Sequence, residues 1–237
     1  MPRATLPAML LAAGVLLPFA PSANSEEVFA PYRQPVVIEL FTSQGCSSCP
    51  PANANLIVLA ERPNVLALSF SVTYWDYLGW KDPFGRPEYT QRQEIYEPKL
   101  GERGPFTPQM VVDGRASAIG FSLRQMDDLV AANPRKTGPS ISLADDHVGI
   151  GPAKPRAQAA DIWLVWYDPN IVEVPVRRGE NSGRTLRHSH VVRNLVRLGD
   201  WSGRAATFKM LAAPEGLKTA VLVQESQGGP ILAAATD

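Results

Sequence analysis

The residues best suited to chemistry are the only two cysteines of the 237-residue chain, Cys46 and Cys49, which form a Cys-Ser-Ser-Cys motif. Cysteines separated by two residues can form a disulfide that opens and closes by thiol–disulfide exchange. A disulfide over so short a loop removes little entropy from the unfolded chain and stabilises a fold poorly. Reactivity therefore explains the pair better than stability does, with a structural disulfide as the alternative.

A metal site is a second alternative for this motif. Structural zinc takes four ligands, and the motif supplies only two. The three histidines, His147, His188 and His190, lie in a different part of the chain. His188 and His190 are two residues apart on a predicted strand and would face the same side. Surface or core positions are more usual for such histidines than metal ligation, so we predict neither a metal nor a cofactor.

A strand and a helix are predicted to position the cysteines. Residues 36–41 (VVIELF) have the β-branched, apolar character of a buried strand, and residues 65–71 repeat it. Pro50 and Pro51 follow the motif, and paired prolines are tolerated only in the first turn of a helix. The sequence therefore predicts a strand, a helix over 52–61 and a second strand, with the cysteines at the N-terminus of the helix.

The two cysteines have different predicted roles. Backbone amides and the helix dipole stabilise a thiolate at a helix N-terminus. Cys46 is the first and the more exposed member, so it should attack a substrate disulfide. Cys49 lies one helical step inward and should resolve the mixed disulfide by attacking Cys46.

The middle of the chain contains an insertion and a second motif. Residues 73–106 are aromatic and charged, and their aromatic side chains either line a substrate groove or, more commonly, pack the insertion onto the sheet. Residues 107–114 (TPQMVVDG) contain a proline just before a short apolar strand, which an Asp-Gly turn closes. Ser122 is the predicted N-cap of a helix over 123–132, and residues 133–139 have the composition of a linker.

Residues 140–237 differ in character from the rest. Short apolar or alternating segments are separated by Gly, Pro, Asn and Asp, without a convincing helical pattern. Seven such strands predict an antiparallel, sandwich-like domain. Its charged segment over 177–184 is predicted to be a hairpin turn, either simply solvated or serving as a partner-binding loop.

The charge balance of the chain bears on its partners, and the N-terminal segment predicts its compartment. Lys+Arg and Asp+Glu number 23 each, so the chain has no basic field to hold nucleic acid. Arg3 precedes an apolar run over 6–20, which predicts a signal peptide over 1–23. An uncleaved membrane anchor is the alternative. The mature chain is therefore predicted to be periplasmic or secreted, without stable membrane insertion after cleavage.

Two segments resemble glutaredoxins. Residues 40–49 (LFTSQGCSSC) are similar to the first glutaredoxin signature, which consists of an aromatic residue, a threonine, two variable residues and GCxxC. Residues 107–114 (TPQMVVDG) are similar to the second signature, a proline and a short strand that ends in Asp-Gly. Two motifs in the right order are more specific than either alone. The whole chain resembles a bacterial family catalogued as domain of unknown function 1223. The resemblance implies an α/β thioredoxin-like domain over 35–135, a mixed sheet flanked by helices, ahead of the β-rich domain over 140–237.

The resemblance also implies site residues. Pro108 would be a cis-proline beside the cysteines, leaving the backbone of Thr107 free to pair with an extended substrate. An ordinary turn proline is the alternative. Glu39 would be a buried proton acceptor for Cys49, as an acidic residue is in thioredoxins, whereas an edge or solvent-facing glutamate is the alternative.

These observations predict an exported thiol–disulfide oxidoreductase. Its substrates would be protein thiols and disulfides, and an unidentified redox partner would reset it. A copper or ligand carrier, and a redox-inactive interaction module on a thioredoxin scaffold, are the alternatives. The Ser-Ser spacer departs from both thioredoxins and glutaredoxins, so the direction of electron flow is open.

Overall fold

The computed structural model describes Met1, residues 34–134 and residues 138–237. Apart from Met1, the predicted signal peptide over 1–23 lies outside the described residues. From residue 34 onward, the described residues form one compact unit.

The described residues contain three α-helices and thirteen strands. The helices are α1 (Pro50–Ala60), α2 (Pro87–Leu100) and α3 (Leu123–Ala132), with a 3-10 helix over Asp76–Leu78. The strands are β1 (Val36–Thr42), β2 (Val65–Ser71), β3 (Gln109–Val112), β4 (Ala116–Ala118), β5 (Ile141–Leu143), β6 (His147–Ile150), β7 (Ala160–Asp168), β8 (Val172–Pro175), β9 (Thr185–His188), β10 (Val191–Trp201), β11 (Ala206–Lys209), β12 (Lys218–Glu225) and β13 (Ile231–Thr236).

One large mixed sheet organises the fold. Its eight strands lie in the order β13-β12-β7-β10-β2-β1-β3-β4. β1 and β2 are parallel in a register that pairs Val36 with Val65, and α1 connects them. β3 and β4 continue the sheet in antiparallel fashion on the β1 side. β10 joins the other side as a parallel neighbour of β2, through the pairing of Val191 with Ser69.

The separate sandwich-like domain predicted over 140–237 is not present in the structure. Four strands from that region, β7, β10, β12 and β13, belong to the same sheet as β1 and β2. The remaining strands form a three-stranded sheet, β11-β6-β5, and a two-stranded hairpin, β8-β9. The prediction failed because alternating side chains identify a strand but not the strand with which it pairs.

The two faces of the large sheet are covered by different elements. Side chains alternate between faces, so Val37 and Phe41 of β1 enter a core that continues across β7 and β12. Ile38 and Leu40 face the opposite side, where they pack with α1 and α3. On that second side the three-stranded sheet covers the C-terminal half, over residues such as Ile162.

The predicted insertion over 73–106 contributes a full helix. α2 starts with Pro87 at its first turn, where a missing N–H costs no hydrogen bond. It ends at Gly101, whose φ of 72° is the left-handed conformation that glycine adopts without steric cost. Tyr89 and Tyr96 of this helix are buried in the core that contains Phe41. The insertion therefore packs onto the sheet as an integral layer.

Candidate functional site

The two cysteines lie in the turn between β1 and α1. Their Sγ atoms form a disulfide, with the Cα atoms 5.5 Å apart. The Cys46 N–H donates to the Ser43 carbonyl at 3.2 Å, and the Cys49 N–H donates to the Cys46 carbonyl at 3.2 Å. Cys49 is the N-cap of α1, so the disulfide occupies the helix start that the sequence predicted.

Both cysteines are buried, so Cys46 is the more exposed of the two only by a narrow margin. Cys46 is 1% exposed and Cys49 is not exposed at all. The spacer residues Ser47 and Ser48 are instead the exposed part of the motif. The Ser48 hydroxyl lies 3.3 Å from Cys46 Sγ. A hydroxyl at this distance can donate to a thiolate when the disulfide is reduced.

The second motif lies directly beside Cys46. The Thr107–Pro108 peptide bond is cis, as the resemblance implied. The Thr107 carbonyl oxygen is 3.8 Å from Cys46 Sγ and accepts a hydrogen bond from the Ser48 hydroxyl at 3.5 Å. Trp75 Nε1 donates to the Thr107 hydroxyl at 2.7 Å and fixes that side chain. The structure thus brings together Cys46, Cys49, Thr107 and Pro108.

The start of the insertion packs closely against the turn that precedes Cys46. Trp80 Nε1 donates to Gln44 Oε1 at 2.8 Å, and the Gln44 N–H donates to Asp82 Oδ2 at 3.0 Å. Burial raises the pKa of Asp82, while the backbone hydrogen bond from Gln44 opposes that rise. Gly45 allows this close packing, because a Cβ at its position would lie only 3.0 Å from the Cβ of Trp75. These contacts join the cysteine turn to the insertion.

A segment from the far half of the chain completes the site. Residues 176–184, which connect β8 to β9, are called here the β8–β9 loop. Asn181 is fully buried, and its Nδ2 donates to the carbonyls of Gln44 at 3.0 Å and Cys46 at 2.8 Å. Glu180 Oε2 accepts from the Ser47 N–H at 2.9 Å. That backbone hydrogen bond is the main reason that the pKa of Glu180 lies below its usual value.

Glu39 is not placed to serve Cys49, which corrects its predicted role. Its register in β1 puts it on the face of Val37 and Phe41, whereas α1 packs on the opposite face. Glu39 Oε1 accepts from Arg92 Nε at 2.6 Å, and the Tyr96 hydroxyl donates to Glu39 Oε2. All three side chains are buried. Glu39 therefore belongs to a structural ion pair that joins β1 to α2.

The histidines do not converge on one place. The ring of His188, at the end of β9, meets the ring of Phe84 at 6.0 Å, whereas the ring of His190 stacks on Tyr167 at 5.5 Å. The two therefore do not face the same side as predicted, because His190 has a φ of 53° and the strand ends before it. Across residues 34–134 and 138–237, no three His, Cys, Asp or Glu side chains group as metal ligands.

The comparisons with known proteins identify a family. The sequence profile of the family DUF1223, which is described as "Protein of unknown function", matches residues 37–224. The chain belongs to the DUF1223 family. This DUF1223 protein is similar to a crystal structure of a protein from Agrobacterium tumefaciens, at 31% identity and a TM-score of 0.72, over 87% of this chain and 95% of that one.

A second solved structure shares the fold alone. HBP35 of Porphyromonas gingivalis is 14% identical to the DUF1223 protein, with a TM-score of 0.54, over 86% of this chain and 75% of that one. The curated proteins gave no match. No helix in the described part of the DUF1223 protein is long and apolar enough to cross a membrane.

Sequence reasoning missed two residues of this site, Glu180 and Asn181. Their only signal in the sequence was a charged, glycine-containing segment between two strands, which is also the pattern of a solvated turn. They lie 134 and 135 positions after Cys46 along the chain, as follows from their numbers. No local pattern connects segments so far apart, and only the folded chain places them on the cysteine turn.

Proposed function

We propose that this protein is an exported, thioredoxin-like thiol–disulfide oxidoreductase that acts on protein disulfides. The observation that carries the proposal is the Cys46–Cys49 disulfide in a turn between a parallel strand and a helix, with the Thr107 carbonyl beside Cys46. A disulfide that closes so short a loop contributes little to stability. Its position at a helix start, beside polar groups, suits reversible reduction.

The proposed reaction has two exchange steps. In the first, the Cys46 thiolate attacks one sulfur of a substrate disulfide; a new S–S bond forms, and the other substrate sulfur leaves as a thiolate and takes up a proton. In the second, the Cys49 thiolate attacks Cys46 Sγ and releases the remaining substrate thiol. The substrate gains two electrons and two protons, and the protein becomes the disulfide. A dithiol donor then reduces the protein disulfide again. If a disulfide acceptor instead reoxidises the protein, the same two steps run in reverse and convert substrate thiols to a disulfide.

Neighbouring groups support these steps. The Ser48 hydroxyl is within reach of Cys46 Sγ and can donate to the thiolate that forms on reduction. The backbone at Thr107 lies beside the sulfur, where an extended substrate backbone would pair with it. The predicted signal peptide over 1–23 supports a periplasmic or secreted location, where protein disulfides form.

The first test is whether the cysteine pair cycles. Purified protein is equilibrated in dithiothreitol and glutathione buffers, and the reduced fraction is read by alkylation and mass spectrometry. A potential near about −230 mV or higher would favour an oxidant or isomerase, and one near about −270 mV a reductant. Failure of the folded protein to exchange with either couple would reject the proposal.

The second test separates the roles of the two cysteines. Cys49→Ser should accumulate a mixed disulfide at Cys46 when a disulfide substrate such as oxidised glutathione is added, because no resolving thiol remains. The matched Cys46→Ser variant should form far less, since its remaining thiol is the inner one. Equal trapping by both variants would contradict the assignment of Cys46 as the nucleophile.

A further inference from the structure

The β8–β9 loop is built onto the cysteine turn rather than lying freely in solvent. Asn181 is fully buried and bridges the Gln44 and Cys46 carbonyls, and Arg184 Nη1 donates to Asn181 Oδ1 at 2.6 Å. Gly179 approaches closely as well, because a Cβ on it would lie 3.6 Å from the Cα of Gly45. These contacts give Glu180 a defined place beside the turn.

Glu180 binds the backbone N–H that directly follows Cys46 in the chain. Its carboxylate accepts from the N–H of Ser47, the residue immediately after Cys46. Few other amides are available at this helix start, because Pro50 and Pro51 have no N–H. The Ser47 N–H dipole is therefore directed at the Glu180 carboxylate, and a negative charge is held on the residue next to Cys46.

We propose that Glu180 is a positioning residue that restrains the reactivity of Cys46 by holding the Ser47 amide and by opposing the negative charge of the thiolate. This inference rests on the proposed function and deepens it by naming a residue that sets the acidity of the nucleophile. On reduction the disulfide takes up two electrons and two protons, and Cys46 reacts only after its thiol has lost one proton. Glu180 opposes that proton loss, so it disfavours the reduced thiolate form relative to the disulfide.

The other charged groups around the turn do not supply this effect. Helix α1 has no acidic residue in its first turn and no basic residue in its last. In the insertion, Asp82 binds the Gln44 N–H, and Asp76 accepts from the Asp82 N–H at 3.2 Å. In the β8–β9 loop, Arg184 is engaged with Asn181, and the Arg178 side chain passes over Gly79. Glu180 is the carboxylate bound to the spacer between the cysteines.

The decisive experiment uses proteins in which Cys46 is the sole thiol. Because the chain has only two cysteines, Cys49→Ser leaves Cys46 alone. In that background Glu180→Gln keeps an acceptor for the Ser47 N–H but removes the charge, and Glu180→Lys reverses the charge. Glu173→Gln is the matched control, because Glu173 is an exposed residue of the same hairpin that pairs with Arg187 at 3.6 Å.

The readout is the pH profile of Cys46 alkylation by iodoacetamide, a neutral reagent. Glu180→Gln should move the midpoint to lower pH by roughly half a unit, a two- to fivefold rise in the thiolate fraction below the midpoint. Glu180→Lys should move it further in the same direction, and Glu173→Gln should leave it unchanged. With both cysteines present, Glu180→Gln should shift the equilibrium with glutathione at about pH 9 towards the reduced protein by a similar factor.

Two results would overturn the inference. One is an unchanged alkylation midpoint in both Glu180→Gln and Glu180→Lys, and the other is a shift of the same size in Glu173→Gln. Alkylation needs no substrate disulfide, so it tests Glu180 even if the cysteine pair proves unable to exchange. If the cysteine pair fails to exchange but the Glu180 variants shift the alkylation midpoint as expected, only the proposed function is rejected.

Discussion

The buried ion pair between Arg92 and Glu39 allows a quantitative test of how the insertion is fastened to the sheet. Arg92 Nε donates to Glu39 Oε1 at 2.6 Å, and the two side chains are 1% and 0% exposed. Arg92 Nη2 also donates to the Tyr96 hydroxyl and to Gln224 Oε1, each at 3.2 Å. Replacing Arg92 with Met would leave the Glu39 carboxylate buried with the Tyr96 hydroxyl as its remaining hydrogen-bond partner among these groups.

The expected cost follows from the uncompensated charge. Removing one partner of a buried ion pair typically costs about 3–5 kcal/mol, because the remaining charge has lost its counterion without regaining water. Arg92 also lies over three aromatic rings, with its Cζ 5.6 Å from the ring centroid of Phe70, 5.5 Å from that of Tyr96 and 5.3 Å from that of Trp163. Methionine preserves much of the apolar contact with these rings but no cationic one. We therefore expect Arg92→Met to lower the free energy of unfolding by about 3–5 kcal/mol.

Urea unfolding of the oxidised protein at neutral pH measures this change. A double variant, Arg92→Met with Glu39→Leu, should recover at least half of the loss, because no buried charge then remains. Arg62→Met is the control, because Arg62 and Asp127 form a surface ion pair whose side chains are 34% and 50% exposed. Loss of this pair should lower the free energy of unfolding by no more than about 1 kcal/mol. A loss below about 1 kcal/mol for Arg92→Met, or a double variant no more stable than the single one, would refute the reasoning.

Three further predictions concern other parts of the chain. Burial lowers the pKa of His188 to about 4, so the unfolded chain binds a proton that the folded protein does not, and stability falls as the pH drops from about 6.5 to 4. His188→Gln should remove up to about 1.4 kcal/mol per pH unit from that slope in urea titrations, and an unchanged slope would contradict this. Gly228→Ala should cost roughly 1–3 kcal/mol or more in thermal unfolding, because its Cβ would lie 2.3 Å from the Ile95 carbonyl oxygen. Gly216→Ala, at a φ of 80° with no atom within 4 Å, should cost clearly less. Glu39→Gln should leave the exchange rate per folded molecule unchanged, since its carboxylate faces away from α1, and a selective loss of rate would restore its predicted proton-acceptor role.

Local patterns in the sequence were sufficient for the elements around the cysteines. The β-branched run before the motif predicted β1, and the observed bounds of β2 match the predicted 65–71. Ser122 was predicted as the N-cap of α3, and its hydroxyl accepts from the Gln125 N–H at 3.3 Å. Each of these signals acts within a few residues, through side-chain alternation, a cap or a ring that lacks an N–H. Such signals are therefore readable without knowledge of the fold.

The tertiary structure alone decided which segments meet. Alternation in β1 shows that Glu39 shares a face with Val37, but only the packing of α1 and α2 decides that this face is the one away from the cysteines. The strands after residue 140 were recognised as strands, yet their pairing in the sheet of β1 depends on long-range register that no local period encodes. For the same reason, Glu180 and Asn181 join the cysteine turn only through the fold. The sequence by itself determined the Cys46–Cys49 pair and the helix start on which it lies, because both depend on neighbouring residues, and the tertiary structure decided which distant residues surround the pair.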